Sequence, residues 1–186
     1  LLVSSLAALR PQKTIEVLID AAPEILRRVP EARIAIIGNG PSRDELVDRA
    51  GRRGLVSSER FSFIEFRHPS AQYLPLIDVY VLPSGWEAFP IGVLEAQAYG
   101  VPQVATDVGG TAEAVTPEVG IVVPPNDPRR LCEAVVKLLS EPTLRSQMAA
   151  ASRRQHASRF TVARMVSETA SVYEEVVAAR HPGTVA

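Results

Sequence analysis

Short apolar runs alternate with amphipathic segments along most of the chain, and this alternation restricts the fold more than any other feature. Runs rich in β-branched residues and bounded by turn-forming residues predict strands. The predicted strands are Leu1 to Leu9, Arg33 to Ile37, Arg60 to Phe66, Asp78 to Leu82, Gln103 to Thr106 and Gly120 to Val123. Strands separated by helices and joined by short loops predict an α/β fold with a doubly wound parallel sheet.

The segments between these runs repeat their apolar residues every three or four positions, which predicts helices. The predicted helices are Ile15 to Val29, Arg43 to Arg53, Pro69 to Leu76, Ile91 to Tyr99, Thr111 to Val115, a helix beginning at Pro128, Thr143 to Ser158 and Val162 to Ala179. Pro23 predicts a kink or a break in the first helix, because proline has no amide proton to donate. Ser42 and Glu45 predict a capping box at the start of the second helix.

Two of the last predicted helices are each expected to bury one apolar face. Asp127 is expected to cap the helix that begins at Pro128. The buried stripe of that helix is predicted to contain Leu131, Ala134, Val135, Leu138 and Leu139. The last helix is predicted to bury Met165, Val166, Thr169, Val172, Tyr173 and Val176.

The composition is that of an ordinary globular domain. A chain of 186 residues can bury one sizeable core, and its net charge of -1 gives no sign of nucleic-acid binding. A single cysteine, Cys132, rules out an internal disulfide bond and fits a reducing compartment. The chain begins at Leu1, inside an apolar run that is too short to span a membrane, so we expect a fragment of a longer protein.

Two glutamates flank a predicted helix start. Glu87 lies on the loop after the strand that ends at Leu82, and Glu95 lies about two turns into the following helix. A helix start offers unpaired N–H groups to an anion such as phosphate, whereas carboxylates on either side suit hydroxyl groups. A nucleotide-sugar has this order of groups, with ribose and sugar hydroxyls on either side of a diphosphate. The alternative is that both glutamates are solvated surface residues.

An ordered string of about thirty residues contains these glutamates. Its motifs are Pro83-Ser84, Glu87-Ala88-Phe89-Pro90, Glu95-Ala96, Gly100-Val101-Pro102, Ala105-Thr106-Asp107-Val108-Gly109-Gly110 and Glu113. The string resembles the retaining nucleotide-sugar glycosyltransferases of the GT-B fold, especially glycosyltransferase family four, and the similarity extends over most of the chain. Ala88 departs from the pattern, because the family usually has glycine there.

The resemblance implies a Rossmann-like half of a GT-B enzyme, namely the carboxy-terminal, donor-binding domain. This domain would span residues 1–180, followed by a tail at 181–186, and a separate amino-terminal acceptor domain would be absent. The implied reaction is transfer of a hexosyl group from a nucleoside diphosphate sugar to an acceptor hydroxyl, with retention of configuration. The resemblance also implies a bacterial, cytoplasmic enzyme, with peripheral membrane attachment of the full-length protein left open, and a chain that is inactive alone.

The resemblance assigns roles to particular residues. Lys13 and the helix start at Phe89-Pro90 would neutralise the diphosphate, Glu87 would hold the sugar hydroxyls, and Glu95 would hold the ribose hydroxyls. The catalytic set is therefore Lys13 and Glu87, and the donor-binding set is Lys13, Arg67, Glu87, Ala88, Phe89, Pro90, Ile91 and Glu95. Ala8 stands where the family has an arginine, and Arg10 is a candidate to compensate.

No metal or cofactor is predicted besides the nucleoside diphosphate sugar, which is a substrate. The histidines are scattered, and the chain has no Asp-x-Asp motif. The expected partners are the acceptor domain and, through an exposed cleft face, a second copy of the chain. Two other functions stay open: a nucleotide-binding remnant or assembly module without catalysis, and a GT-B epimerase. The base, the sugar and the acceptor are not determined by the sequence.

Overall fold

The structure is a computed structural model that describes residues 1–180, and it contains six strands and seven α-helices in that range. The strands are β1 (Leu2–Leu6), β2 (Arg33–Ile37), β3 (Phe61–Ile64), β4 (Val79–Leu82), β5 (Gln103–Thr106) and β6 (Gly120–Val123). The helices are α1 (Glu16–Arg28), α2 (Arg43–Arg52), α3 (Ile91–Ala98), α4 (Thr111–Ala114), α5 (Pro128–Ser140), α6 (Pro142–Arg159) and α7 (Val162–Arg180). The predicted tail at 181–186 lies outside the described residues.

All neighbouring strands pair in parallel, in the order β3-β2-β1-β4-β5-β6. The predicted doubly wound parallel sheet is therefore confirmed. The strand order reverses between β1 and β4, which pair through Val3 with Val79 and Ser4 with Tyr80. In such sheets the crevice beyond the carboxyl ends of the strands at this reversal is where ligands bind.

Each face of the sheet carries its own hydrophobic cluster. On one face α1 and α5 pack against each other and against the sheet, with Leu18, Ile25 and Leu131 fully buried. On the other face α3 and α4 cover Tyr80 and Leu82, and α6 packs on the outer side of α3. Burying an aliphatic side chain of this size contributes about 1.5–3 kcal/mol, so both layers stabilise the sheet.

The structure contradicts the break that was predicted at Pro23 as the alternative to a kink, and it contradicts the capping box predicted at Ser42. Helix α1 continues through Pro23, which lies on its exposed side, while Ile19, Ala22 and Ile25 are buried before and after it. Burial of that apolar face offsets the lost hydrogen bond, so the helix does not break. Ser42 makes no side-chain cap, because its backbone is helical (φ -80, ψ 0) rather than extended, as a capping residue requires.

Other boundaries differ by smaller amounts. The predicted helix at 69–76 is two separate 3-10 turns, Ser70–Gln72 and Leu74–Leu76, whereas α3 begins at Ile91 as predicted, with Pro90 as its cap. The cap of α5 is confirmed, since the Asp127 carboxylate accepts from the Arg130 backbone N–H at 2.9 Å. All five residues of its predicted stripe are buried.

The prediction for the last helix is correct in secondary structure and wrong in burial. Helix α7 forms, but the six residues expected to be buried are exposed in the described part of the chain, with Met165 at 60% and Tyr173 at 68%. The helical period shows which side chains share a face, but it does not show whether another element covers that face. No helix within residues 1–180 has the length and hydrophobicity needed to cross a bilayer.

Candidate functional site

Two loops from distant parts of the chain meet where the strand order reverses. The loop after β1 contains a 3-10 turn at Pro11–Lys13, and the loop after β4 contains Pro83 to Pro90. The Gly85 N–H donates to the Gln12 carbonyl oxygen at 2.9 Å, and the Thr14 hydroxyl donates to the carbonyl oxygen of Pro83. Thr14 has a left-handed backbone (φ 37), which turns the chain from the 3-10 turn into α1. These contacts hold the two loops against each other.

The contact between these loops brings together the two residues predicted to be catalytic. The Lys13 ammonium lies 2.5 Å from Oε1 of Glu87, although the residues are 74 positions apart in the sequence. The side chain of Glu87 is only 8% exposed and that of Lys13 only 18%. The alternative that Glu87 is a solvated loop residue is therefore wrong.

Ser84 is a second partner of the same carboxylate. Its hydroxyl donates to Oε1 of Glu87 at 2.6 Å, and the residue is completely buried. The carbonyl oxygen of Ser84 in turn accepts from the hydroxyl of Thr106, at the end of β5, at 2.5 Å. The sequence motifs contain both Ser84 and Thr106, but nothing in the pattern indicates that either residue supports Glu87.

Two glycines after β5 support the loop that carries Glu87. Gly109 has φ +52, and a Cβ atom at this position would lie 1.7 Å from the carbonyl oxygen of Glu87. The Gly110 N–H donates to the carbonyl oxygen of Ala88 at 2.9 Å. The backbone of Glu87 and Ala88 therefore rests directly on this turn, which only residues without a side chain permit at Gly109.

The start of α3 lies above a buried tyrosine. Tyr80 is fully buried, and its hydroxyl donates to the Leu6 carbonyl oxygen at 3.1 Å. Burial raises the pKa of this hydroxyl, as do the carboxylates of Glu95 and Glu87, so the hydroxyl keeps its proton and donates. Gly92, in the first turn of α3, leaves room for this hydroxyl, because a Cβ atom there would lie 2.6 Å from it.

A pocket of about 250 Å³ lies on the β1 side of α3. Its lining residues are Leu6, Ala7, Ala8, Asn39, Phe66, Ser70 and Glu95. Oε1 of Glu95 accepts from the hydroxyl of Ser70 at 3.1 Å, and the residue is exposed. Glu95 is thus the one charged residue in this lining, and its carboxylate faces a cavity at the carboxyl ends of the strands.

The side chain of Asn39 holds the far wall of this pocket. The Asn39 amide donates to the carbonyl oxygen of Phe66 at 3.0 Å and accepts from its N–H at 3.2 Å. Arg67 is exposed, and its N–H and carbonyl are bonded to Tyr73 and Gln72. Phe66 rather than Arg67 lines the pocket.

The remaining predicted donor-binding residues surround the start of α3. Ala88, Phe89 and Ile91 are exposed, whereas Pro90 is buried. Phe89 and Ile91 also line a larger groove of about 1150 Å³ between α3 and α7. Ala8 lines the smaller pocket where the resembling family has an arginine, and the exposed Arg10 does not line it.

Comparisons with known proteins show which family and which fold this chain resembles. The family model of glycosyl transferases group 1 matches residues 1–155. The chain is 33% identical over 170 residues to the alpha-D-kanosaminyltransferase of Streptomyces kanamyceticus, covering 89% of the chain and 43% of that protein. It is 37% identical over 153 residues to the D-inositol 3-phosphate glycosyltransferase of Frankia alni, and the match covers 76% of this chain and 37% of that protein. The chain thus spans about two fifths of the length of these relatives.

Solved structures share the fold. HepE of Anabaena, in complex with UDP-glucose, matches with a TM-score of 0.84 at 24% identity, covering 94% of this chain and 48% of HepE. The carboxy-terminal domain of a group 1 glycosyl transferase, LpcC from Francisella tularensis, matches with a TM-score of 0.77 at 24% identity. The match covers 87% of this chain and 86% of that domain. The predicted Rossmann-like half of a GT-B fold is therefore confirmed.

Proposed function

Because this chain belongs to the glycosyl transferases group 1 family, we propose that it is the donor-binding domain of a retaining glycosyltransferase. The enzyme would transfer a hexosyl group from a nucleoside diphosphate sugar to an acceptor hydroxyl. One observation carries the proposal. Glu87, which is paired with Lys13, lies on the loop before the start of α3, and Glu95, on α3 itself, lines the pocket at the carboxyl ends of the strands. This order matches sugar hydroxyls, diphosphate and ribose hydroxyls along a nucleotide-sugar.

The chemistry in this arrangement is mainly electrostatic. As the bond to the sugar breaks, negative charge accumulates on the departing diphosphate. The unpaired N–H groups at the start of α3 and the Lys13 ammonium would stabilise that charge. Glu87 would accept hydrogen bonds from the donor sugar, and Glu95 from the ribose. None of these side chains is assigned as a nucleophile, which is consistent with departure and attack on the same face of the sugar.

The acceptor would bind to a second domain of a longer protein, as the relatives' greater length suggests. The groove between α3 and α7 is where we place the contact with that domain. Its walls are mainly apolar, with Leu94 on α3 and Met165 and Val172 on α7, and they also contain charged residues, among them Glu95 and Arg164. Exposed apolar surfaces of this kind mark sites of association. In the isolated chain the same surface would favour self-association, and the chain would not transfer sugar alone.

A second candidate function is nucleotide binding without catalysis. Ala8 favours it, because a methyl group stands in the pocket lining where the resembling family places a phosphate-binding arginine. Assays of the full-length protein separate the two functions. Nucleotide binding without transfer to any acceptor would select the binding module, whereas turnover of a nucleotide-sugar would select the transferase.

Calorimetry on the chain tests the proposed function. Wild type is titrated with UDP, GDP and ADP and with the glucose conjugate of each. Glu95→Gln should weaken the preferred nucleotide and its conjugate alike, because both carry the ribose. A hydrogen bond to a charged group contributes about 1.5–3 kcal/mol, so the loss should be roughly tenfold to a hundredfold.

The matched control is Glu45→Gln, which neutralises an exposed carboxylate on α2. It should leave all dissociation constants unchanged. Equal affinities for wild type and Glu95→Gln would remove the ribose assignment. Absence of binding by wild type to every ligand of the panel would contradict the proposed function as a whole.

A further inference from the structure

The cation proposed to bind the diphosphate is already engaged in this structure. The Lys13 ammonium contacts Oε1 of Glu87, whose side chain is almost completely buried. The second donor to this carboxylate within the described residues is the Ser84 hydroxyl, which contacts the same oxygen atom. Lys13 therefore cannot move fully to another anion without leaving a buried carboxylate with one neutral donor.

We infer that the Lys13–Glu87 ion pair makes the site discriminate between a nucleoside diphosphate sugar and the bare nucleoside diphosphate. The inference rests on the proposed function, in which Lys13 binds the diphosphate and Glu87 the sugar. It adds that both ligands compete with Glu87 for the same ammonium group. When Glu87 loses its contact with Lys13, only a ligand that carries a sugar offers the carboxylate new hydrogen-bond donors.

The physical reason is the cost of a buried, unpaired charge. A bare nucleoside diphosphate that draws Lys13 away leaves the Glu87 carboxylate without its cation, and burial makes this loss unfavourable. Ser84 cannot compensate, because it already donates to Glu87 and its backbone is held by the hydroxyl of Thr106. Sugar hydroxyl groups supply new donors to the same carboxylate, so the donor substrate avoids this penalty.

The consequence is a site that retains the donor and releases the product. Once the sugar has been transferred, the remaining nucleoside diphosphate competes with Glu87 for the Lys13 ammonium and is bound less tightly than the donor was. Glu87 is then a specificity-determining residue in addition to a ligand of the sugar. The effect differs from that expected of a carboxylate that contacts the sugar alone, because neutralising such a carboxylate would leave the affinity for the bare nucleotide unchanged.

Calorimetry with UDP and UDP-glucose tests the inference, with the matching pair used if wild type prefers another base of the panel. Glu87→Gln abolishes the buried charge, so the bare nucleotide should bind at least about fivefold more tightly, which corresponds to about 1 kcal/mol. The sugar conjugate should not bind more tightly, because the carboxylate acceptor for its hydroxyls is lost. Discrimination in favour of the conjugate should therefore fall.

Ser84→Ala should have the opposite effect on the bare nucleotide. It removes the one donor that stays with Glu87 after Lys13 leaves, so the bare nucleotide should weaken more than the conjugate does. Glu45→Gln serves as the control for a change of one charge. Thermal unfolding of each variant identifies any that fails to fold. Glu87→Gln and Ser84→Ala should change the affinity for the bare nucleotide in opposite directions, and general destabilisation does not produce this pattern.

The possible outcomes separate the inference from the proposed function. Unchanged or weakened binding of the bare nucleotide to Glu87→Gln would overturn the inference. Equal tightening of both ligands would also overturn it, because the carboxylate would then lie against the diphosphate. Lys13→Met should weaken both ligands. If Lys13→Met has the same affinity as wild type for both ligands, and wild type binds them, Lys13 does not contact the diphosphate. The role that the proposed function gives to Lys13 would then be wrong.

Discussion

The contact between Gly92 and Tyr80 provides a test of how the start of α3 is positioned. In Gly92→Ala the new methyl carbon would lie 2.6 Å from the Tyr80 hydroxyl oxygen. That hydroxyl is fully buried and bonded to the Leu6 carbonyl, so it cannot rotate away. Insertion of a methyl group into a filled core costs about 1–3 kcal/mol, whereas alanine in place of glycine within a helix contributes about 1 kcal/mol.

The same substitution should behave differently when the hydroxyl is absent. In Tyr80→Phe the nearest remaining atoms to the methyl carbon are the ring carbon that bears the hydroxyl, at 3.6 Å, and the Leu6 carbonyl oxygen, at 3.8 Å. Both are ordinary contacts, so Gly92→Ala should become neutral or stabilising by up to about 1 kcal/mol. Tyr80→Phe alone should cost about 1 kcal/mol, because the buried Leu6 carbonyl loses its donor.

Urea unfolding of wild type, the two single variants and the double variant measures this coupling. The free energies should show a coupling of about 1–3 kcal/mol, with the double variant more stable than the sum of the single effects predicts. For a chain of 186 residues, each kcal/mol corresponds to about 2–4 °C in the unfolding temperature. An equal cost of Gly92→Ala in both backgrounds would refute the reasoning that this glycine accommodates Tyr80.

Three further predictions follow from other contacts. Gly109→Ala should destabilise the chain and weaken nucleotide-sugar binding, because a Cβ atom would meet the Glu87 carbonyl oxygen; unfolding and calorimetry measure this, and a wild-type-like variant would contradict it. The Arg49 guanidinium holds the pKa of Asp20 below its usual value, so the pair stabilises the fold above the unfolded-state pKa and loses this effect as pH falls through the lowered value. The stability difference between wild type and Asp20→Asn should therefore shrink from pH 7 to pH 3, and a constant difference would exclude the pair as its cause. Tyr173→Lys should reduce self-association in sedimentation without lowering the unfolding temperature, because this side chain is 68% exposed.

The sequence was sufficient to predict the sheet, because its four inner strands are buried on both faces and are bounded by turn-forming residues. Val79 to Leu82, for example, is completely buried and bounded by turn-forming residues. The sequence was not sufficient for α7, whose helical pattern is real although its apolar face is exposed. Periodicity reports the direction of side chains, and burial depends on what packs against them.

The secondary-structure positions of Glu87 and Glu95 were predicted better than the contacts that their side chains make. Glu87 and Glu95 were placed correctly on a loop and on a helix, since the strand before them and the helix period after them are clear. The ion pair of Lys13 with Glu87 and the hydroxyl bond from Ser84 were not predicted. Such contacts depend on which strands are neighbours, and sequence separation carries no information about that order.

The position of β1 between β2 and β4 has a consequence for the order of folding. Among the strands of this domain β1 is synthesised first, but one edge of this central strand stays unpaired until β4, which begins at Val79, has formed. The apolar face of α1 likewise waits for α5, which begins at Pro128. Pairings between distant segments fold slowly and leave strand edges exposed meanwhile. A nascent chain that stops before α5 should therefore be prone to aggregation, and the domain should gain its stability late and as a unit.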